Sequence, residues 1–537
     1  MTMDQDESRT MTRRGLLQLT AASALYLSLP AMTGCTAVPK YKPIGAGDGK
    51  SLELIHCNIV DVVQGVVHHD RTITIRNGVI ESISDRIPSP REGSLVVDMK
   101  NQYLIPGLID AHCHSTLSSE AEFNPFGVPT MLRQIKKNYV QQLTQGVTTI
   151  RDMGALPKLL HKNIEMIENG ELTGPRVVYC NAFTNVYGGH PDLDPSDVSV
   201  FSGIAMAFTG NPSSWFKDIP ELKEKMQRSL ENGASFLKLT MDNKSLLCGK
   251  GEIPVYSEEE LQVIFEFARR NNLPVAGHIH TKFGFDRALK YGINSMEHSL
   301  ADASLTDREI AEMAGKKIAV VPTMIIAQML AGAEAFDKIP EEYRNDFIDN
   351  ELSIRRQFLA SSPDRYIEPA IHKKNVEALQ YYREYGCSNL YKNGKFLAKP
   401  DLYFHILLHG PKNLLRMKAA GIVIGCGTDA GIPYVYHGTL WREMEMLGRI
   451  GFSNQEVLRC ATINNAKILR RGDKIGTIDK GKLADMVVLT ANPFVRLETC
   501  RDPQMVIKGG QIYEVSSLPT FRSTNFKGSL KKSHHPA

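Results

Sequence analysis

Short apolar runs punctuate most of this chain, and between them lie stretches of helical period. The runs are LIDAHCH, GVTTIRD, RVVYCNAF, FLKLT, PVAGHIH, NSMEH, IAVVPT and VIGCGTD, separated by segments such as LTDREIAEMAGKK. Strand-length apolar runs alternating with amphipathic helices predict parallel strands joined by crossover helices. The two ends of the chain carry a different pattern. From Leu52 to Met99 apolar and polar residues alternate with period two, in LELIHCNIVDV, TITIRNGVIESISD and SLVVDM. Asn77-Gly78 is a hairpin signal between two such runs. The same pattern returns in ADMVVLT and PQMVIKGGQIYEV, with Gly509-Gly510 as a turn.

These patterns predict an α/β protein. A (β/α)8 TIM barrel spans 105–475, and a small β-sandwich beside it is built from both chain ends, 51–104 and 476–520. A barrel takes roughly 250 residues or more, so 537 residues leave room for both units. One interval breaks the rhythm. From about Ile325 to Lys418 a mostly helical insertion separates the seventh and eighth candidate strands. Loops at the strand-end face of a barrel carry specificity, so this insertion reads either as a lid or as a surface decoration or oligomer contact.

Composition narrows the function. A 42% hydrophobic and 23% charged chain is that of a globular protein, and a net charge of +4 is small for this length. No basic cluster is interleaved with aromatics, so nucleic-acid binding has no support. Nine cysteines form no dense framework. Cys113, Cys180 and Cys426 fall inside apolar strands, where small buried thiols are expected and disulfides are not.

The N-terminus reads as an address, 1–35. Arg13-Arg14 precedes an apolar run through Met32, as in twin-arginine export signals. That run is short of the roughly 20 apolar residues that span a bilayer. It ends at Met32-Thr33-Gly34-Cys35, which resembles a bacterial lipoprotein processing box in which Cys35 receives lipid. The expected location is therefore a membrane-anchored lipoprotein facing the periplasm or cell exterior. An uncleaved anchor or a plain tail is the alternative. A Gly/Pro/Lys linker follows at 36–50, and 521–537 is a tail. Oligomeric state is not legible, and a homo-oligomer is compatible with everything above.

The chemistry lies at the ends of the apolar runs. In a strand, residues two apart point to one side, so His112 and His114 present two imidazoles together. Lys238 sits in the middle of an apolar strand, where an ammonium is costly unless paired or neutralised. His278 and His298 close successive strands, with one helix, FGFDRALKYG, between them. His280 shares the face of His278 and rivals it. Asp429 ends the apolar run Ile424–Thr428.

The segment Ile105-Pro106-Gly107-Leu108-Ile109-Asp110-Ala111-His112-Cys113-His114 resembles the first-strand signature of the amidohydrolase superfamily. The closing stretch from HGTLWREMEMLG to TIDKGKLADMVVLTANPF is similar to the family's return to its sandwich. Together they cover essentially Leu52 to Val515, apart from the insertion. Gly146–Gly154, Gly188-Gly189-His190 and the HxH of His278 and His280 resemble the imidazolonepropionase-like branch, which includes Xaa-Pro dipeptidases and N-acyl amino acid hydrolases.

The resemblance implies a ligand set of His112, His114, Lys238, His278, His298 and Asp429. It implies two divalent metal ions, Zn2+ first among those such donors suit, bridged by a carboxylated Lys238. It further implies a metal-acidified water as nucleophile, with Asp429 accepting its proton and passing it to the leaving nitrogen. His190 then stabilises the oxyanion or holds a substrate carboxylate; a turn histidine is the plain alternative. His280 and Arg151 are candidate substrate contacts, although Arg151 also suits a pair with Asp152 or another acidic neighbour. The expected substrate is a small amide, a dipeptide or N-acyl amino acid, including Xaa-Pro. A cyclic amide or ester hydrolase on the same site, and a non-catalytic small-molecule-binding lipoprotein, are the competing readings.

Overall fold

The computed structural model describes residues 41, 43–45, 51–86, 93–119, 128–190, 209–244, 252–331, 344–361, 363–385 and 400–517. The twin-arginine segment, Cys35, most of the 36–50 linker and the 521–537 tail lie outside the described residues.

The two chain ends meet in one hydrogen-bonded sheet. Its strands are β1 (Ser51–Asp61), β2 (Val66–Arg76), β3 (Val79–Ser84), β4 (Leu95–Asp98) and β5 (Tyr103–Pro106). From the far end of the chain come β15 (Met486–Leu489), β16 (Met505–Lys508) and β17 (Gln511–Glu514). The order is β17-β16-β15-β5-β1-β2-β3, with β4 also on β1. Irregular register between Leu54 and Cys57 bends β1, so its first half pairs β4 and its second half β5, both parallel. All other pairs are antiparallel. The inward faces of both chain ends share one core that includes Leu54, Ile73, Leu104, Met486, Val488 and Ile507.

The hairpin signals are realised as turns. Asn77 and Gly78 have φ of 50° and 76°, and Gly509 and Gly510 have 57° and 72°. A Cβ on Gly78 would lie 2.9 Å from the Gly509 carbonyl oxygen, so the two turns abut only because side chains are missing there.

Between these ends the strands are parallel. β6 (Leu108–Cys113), β7 (Val147–Asp152) and β8 (Arg176–Tyr179) form one sheet. β9 (Phe183–Val186), β10 (Ser213–Phe216), β11 (Leu237–Thr240), β12 (Val275–His278), β13 (Ser295–Glu297) and β14 (Ala319–Val321) form another, in the order β10-β9-β11-β12-β13-β14. The segment 422–430 lies between β14 and β6. Gly425 N donates to Val320 O at 2.8 Å, and Ala111 N donates to Cys426 O at 3.1 Å. The result is a barrel-like α/β domain joined to a mostly antiparallel sheet.

The helices follow from their sequence. Glu258–Arg270 buries Leu261, Ile264, Phe265 and Ala268, the i, i+3, i+4, i+7 stripe of an amphipathic helix. It starts in a reciprocal capping box of Ser257 and Glu260, a device repeated at Thr306/Glu309 and Ser453/Glu456. The six described cysteines are buried and unbridged, as the apolar context predicts.

The 325–418 insertion needs redrawing. Its last helix, Pro400–Ala419, returns the chain directly to the 422–430 strand segment. Asn413 on that helix accepts from Leu305 N at 3.0 Å and donates to Ala303 O at 3.1 Å, so the helix packs as an ordinary crossover. Pro411 inside it and its weak amphipathic contrast hide this role in the sequence. The extra chain therefore lies between Met324–Leu330 and Pro400–Ala419. Its described helices, Asp346–Ser361, Pro363–Tyr366 and Pro369–Tyr385, are anchored to the parallel-strand domain. Glu368 N donates to Gln134 Oε1 at 2.6 Å, and Asn375 Nδ2 donates to Ser119 O at 3.0 Å.

Candidate metal centre

The apolar strands end at one place. His112 lies in β6, and its ring centroid is 5.8 Å from that of His114 and 4.6 Å from that of His298, which follows β13. His298 in turn lies 4.4 Å from His278, the last residue of β12, and 4.6 Å from His280. Asp429 Oδ1 is 3.1 Å from His112 Nε2 and 3.0 Å from His114 Nε2. Side chains more than three hundred residues apart thus share one buried cluster.

In four of these histidines the second ring nitrogen has its own partner. His112 Nδ1 is 2.9 Å from Glu297 Oε2, His114 Nδ1 is 2.7 Å from Gly154 O, and His280 Nδ1 is 3.1 Å from Ser299 O. His298 Nδ1 is 2.8 Å from Thr323 Oγ1. Imidazoles that donate from Nδ1 present bare Nε2 lone pairs, which is the form a metal ligand needs.

The donor set fits a metal centre on one observation above all. His112 Nε2, Lys238 Nζ, His298 Nε2 and Asp429 Oδ1 are buried and have no hydrogen-bond partner among the described residues. Asp429 Oδ1 therefore touches two imidazole nitrogens without accepting a proton from either. Buried polar atoms without partners cost free energy of about 1–3 kcal/mol each, more for charged groups, unless another species satisfies them. A cation does so for lone pairs that face one another. Two overlapping triads suit one: His112, His298 and Asp429, and His278, His280 and His298, with ligand atoms within 4.8 Å in each.

Electrostatics agree with the geometry. Burial pushes the Lys238 amine from its ordinary 10.5 down to about 8, against the pull of Glu297 and Asp429. Burial pushes His190 down to about 3 and His280 to about 4, so both are neutral imidazoles at pH 7. Full burial raises the Asp429 carboxyl, but His112 and His114 outweigh it and hold the group below the usual carboxylate range. The backbone is strained at the same places: His298 has φ of 76°, Asp429 58° and Thr323 44°. Non-glycine residues in that region cluster at functional sites because the surrounding structure must impose them.

His190 stacks on His278, with centroids 4.1 Å apart and planes 23° apart, so it lies at the cluster. Arg151 does not present its guanidinium as a free substrate clamp. Nε donates to Ala111 O at 2.6 Å, one terminal nitrogen reaches Ser295 Oγ at 3.2 Å, and the other pairs with Glu297 at 2.6 Å. Of the two uses open to it in sequence, it takes the acidic pair, but with Glu297 rather than Asp152.

Three acidic residues at the site were missed. Glu297 is fully buried against His112 and Arg151, and Asp242 accepts from the backbone of His280 and Thr281. Burial raises Asp242 to about 7, and its Oδ2 lies 3.6 Å from His278 Nε2. Asp110 accepts from Thr428 Oγ1 at 2.7 Å and from His112 N at 3.2 Å, tying the first strand to the last. Asp110 lies inside β6, Glu297 ends β13 and Asp242 follows β11 by two residues, so each is a charge in or just after an apolar strand, the signal that singled out Lys238 as costly to bury.

The amidohydrolase family model matches residues 103–513. Ochratoxinase of Aspergillus niger is 21% identical over 495 residues, covering 88% of this chain and 88% of that protein. Among solved structures, a Xaa-Pro dipeptidase with bound methionine in its active site superposes with a TM-score of 0.63 at 21% identity, over 87% of this chain and 100% of that one. Molinate hydrolase superposes with a TM-score of 0.67 at 19% identity, over 90% of this chain and 100% of that one. With a matching family model over most of its length, the chain belongs to the amidohydrolase family and is a hydrolytic enzyme acting on carbon–nitrogen bonds.

Proposed function

We propose that this protein is a dinuclear metal-dependent amidase that cleaves dipeptides or N-acyl amino acids, Xaa-Pro among them. The observation that carries the reading is the set of four buried ligand atoms on His112, Lys238, His298 and Asp429 that have no hydrogen-bond partner among the described residues. His112, His114, His278, His298, Asp429 and a carboxylated Lys238 would hold two divalent cations, with Zn2+ the first candidate. Bound there, the cations supply a Lewis acid and lower the pKa of a shared water from ~15.7 towards ~7.

The chain's own residues have separable tasks. Lys238, with its amine pushed down to about 8, has a neutral fraction able to take up carbon dioxide and become an anionic oxygen ligand. Asp429 stays ionised through the neutral range, so it can accept a proton from water and return it to the leaving nitrogen. Neutral His190 is placed to donate a hydrogen bond to a developing oxyanion or to a substrate carboxylate. His280 faces the same cluster, either against substrate or as a further ligand. With Arg151 committed to Glu297, the substrate's anionic end is assigned to His190 and His280.

The same reading includes closure of the parallel strands into an eight-stranded barrel. The bonds of 422–430 to β14 and β6, and the contact of β9 with β11, favour a continuous ring of strands whose ends carry these residues. Export by the twin-arginine segment and anchoring through a lipid on Cys35 complete the proposal. No helix among the described residues is long and apolar enough to cross a membrane.

Turnover profiling of metal-loaded protein against Xaa-Pro dipeptides, other dipeptides, N-acyl amino acids, cyclic amides and esters tests the reading. It predicts hydrolysis of linear amides that falls at least about 100-fold in Lys238→Ala and Asp429→Asn. Turnover confined to cyclic amides or esters would overturn the substrate class. A folded, metal-loaded protein inert to all five classes would overturn catalysis.

A further inference from the structure

Among the buried charges that the proposed chemistry does not use, one group is built across three strands. Glu297 at the end of β13 is 0% exposed. Its Oε1 accepts from Arg151 of β7 at 2.6 Å and from Ser295 Oγ at 2.5 Å. Its Oε2 faces His112 Nδ1 at 2.9 Å. Arg151 is itself locked by Ala111 O, the residue before His112, and its guanidinium lies 5.3 Å from the centre of the Phe236 ring.

Resting on the metal-centre reading, we propose that Glu297 is a positioning residue that sets the tautomer of His112 and so makes its Nε2 a metal ligand. Of the two carboxylates beside His112, Glu297 meets Nδ1 in hydrogen-bond geometry and Asp429 does not so meet Nε2, and a carboxylate can only accept, so the proton of a neutral His112 sits on Nδ1. The bare Nε2 lone pair is then aimed at the Asp429 Oδ1 side of the cluster, where it has no hydrogen-bond partner among the described residues. Arg151 and Ser295 do more than neutralise the carboxylate. Both donate to Oε1, which leaves Oε2 for the imidazole and fixes which oxygen serves which partner. A buried ion pair that merely joins strands would not require that division.

The division makes Glu297→Gln a sharp probe. The amide has one acceptor, and Arg151 with Ser295 demand it at the Oε1 position. The NH2 group then faces His112 Nδ1, which must accept. The ring proton moves to Nε2, and the lone pair needed for a metal is lost. Shape is nearly unchanged, and Arg151 keeps an acceptor.

The readout is the affinity for Zn2+ alone, measured by competition with a chromophoric chelator on the full chain, with circular dichroism as the check of folding. Wild type is expected to bind two ions, and folded Glu297→Gln to bind one of them about 10–100-fold more weakly. Equal affinities in the two folded proteins would overturn the inference. Nitrogen NMR of metal-free wild-type protein, with His112 assigned through His112→Asn, gives a reading that needs no Glu297 variant. A protonated Nδ1 and bare Nε2 are expected, and the opposite tautomer would overturn the inference even if the variant does not fold. Wild type that shows the expected tautomer yet binds no Zn2+ would sink the metal-centre reading and leave the tautomer assignment standing.

Discussion

Lys238 is a buried amine the fold carries at a cost, and that cost can be measured. The residue is 4% exposed, and its amine has no hydrogen-bond partner among the described residues. Burial lowers its affinity for a proton from the ordinary 10.5 to about 8, although Glu297 and Asp429 pull the other way. The difference, 10.5 − 8 = 2.5 pH units at 1.36 kcal/mol each, is about 3 kcal/mol of native-state stability lost when the metal-free, uncarboxylated protein is at pH 7. Between about 8 and 10.5 the unfolded chain binds the proton more tightly than the native one, so native stability rises with pH across that window. Below it the penalty is complete. Lys238→Met keeps the length of the side chain and removes the charge. Stripped of metal and bicarbonate, this variant should therefore be more stable than wild type by about 3 kcal/mol at pH 7, with the gap closing by pH 10.5. Urea denaturation followed by circular dichroism at the two pH values measures it. A variant no more stable than wild type at pH 7, or a gap that does not narrow at high pH, would refute the reasoning.

Three further substitutions probe the site and its supports. Asp429→Asn should keep the fold and cut kcat by about 10^2 to 10^4, the span of a lost general base, in a steady-state assay with the best linear amide. Gly431 has φ of 110°, and a Cβ there would meet the backbone and Cβ of His114. Gly431→Ala should therefore destabilise by about 1–3 kcal/mol and weaken Zn2+ binding, both measured on the purified variant. Glu443 is buried with its carboxylate on Met324 N and Ile325 N, and burial raises its pKa from 4.5 to about 8. Native stability should then fall as pH rises from 4.5 through about 8, and Glu443→Gln should flatten that fall when urea midpoints are compared at pH 5 and pH 9.

Much of this site was legible because its chemistry is local. His112 and His114 share a strand face through spacing alone, and Lys238 stands out as a charge inside an apolar run. His278, His298 and Asp429 each close such a run, so parallel-strand logic brings them to one end. What was not legible depends on partners from other strands. Glu297 lies next to His298 in sequence, but its role comes from His112, 185 positions away, and from Arg151 on a third strand. No periodicity encodes such a pairing. Asp242 is similar, since its partners are backbone amides beyond the next helix. The extra chain is shorter than 325–418 for a different reason. Pro400–Ala419 carries Pro411 and a diffuse apolar pattern, so its role as a crossover appears only when Asn413 is seen bound to 303–305. Strain at His298 and Asp429 could not be read either, because left-handed backbone at non-glycine residues has no sequence mark.

Cations held by these residues are what the proposed chemistry requires. Anomalous diffraction from zinc-soaked crystals, recorded on both sides of the zinc edge, tests that directly. Two peaks inside the cluster of His112, His114, Lys238, His278, His298 and Asp429 are predicted. A well-ordered map with no peak among those side chains would contradict it.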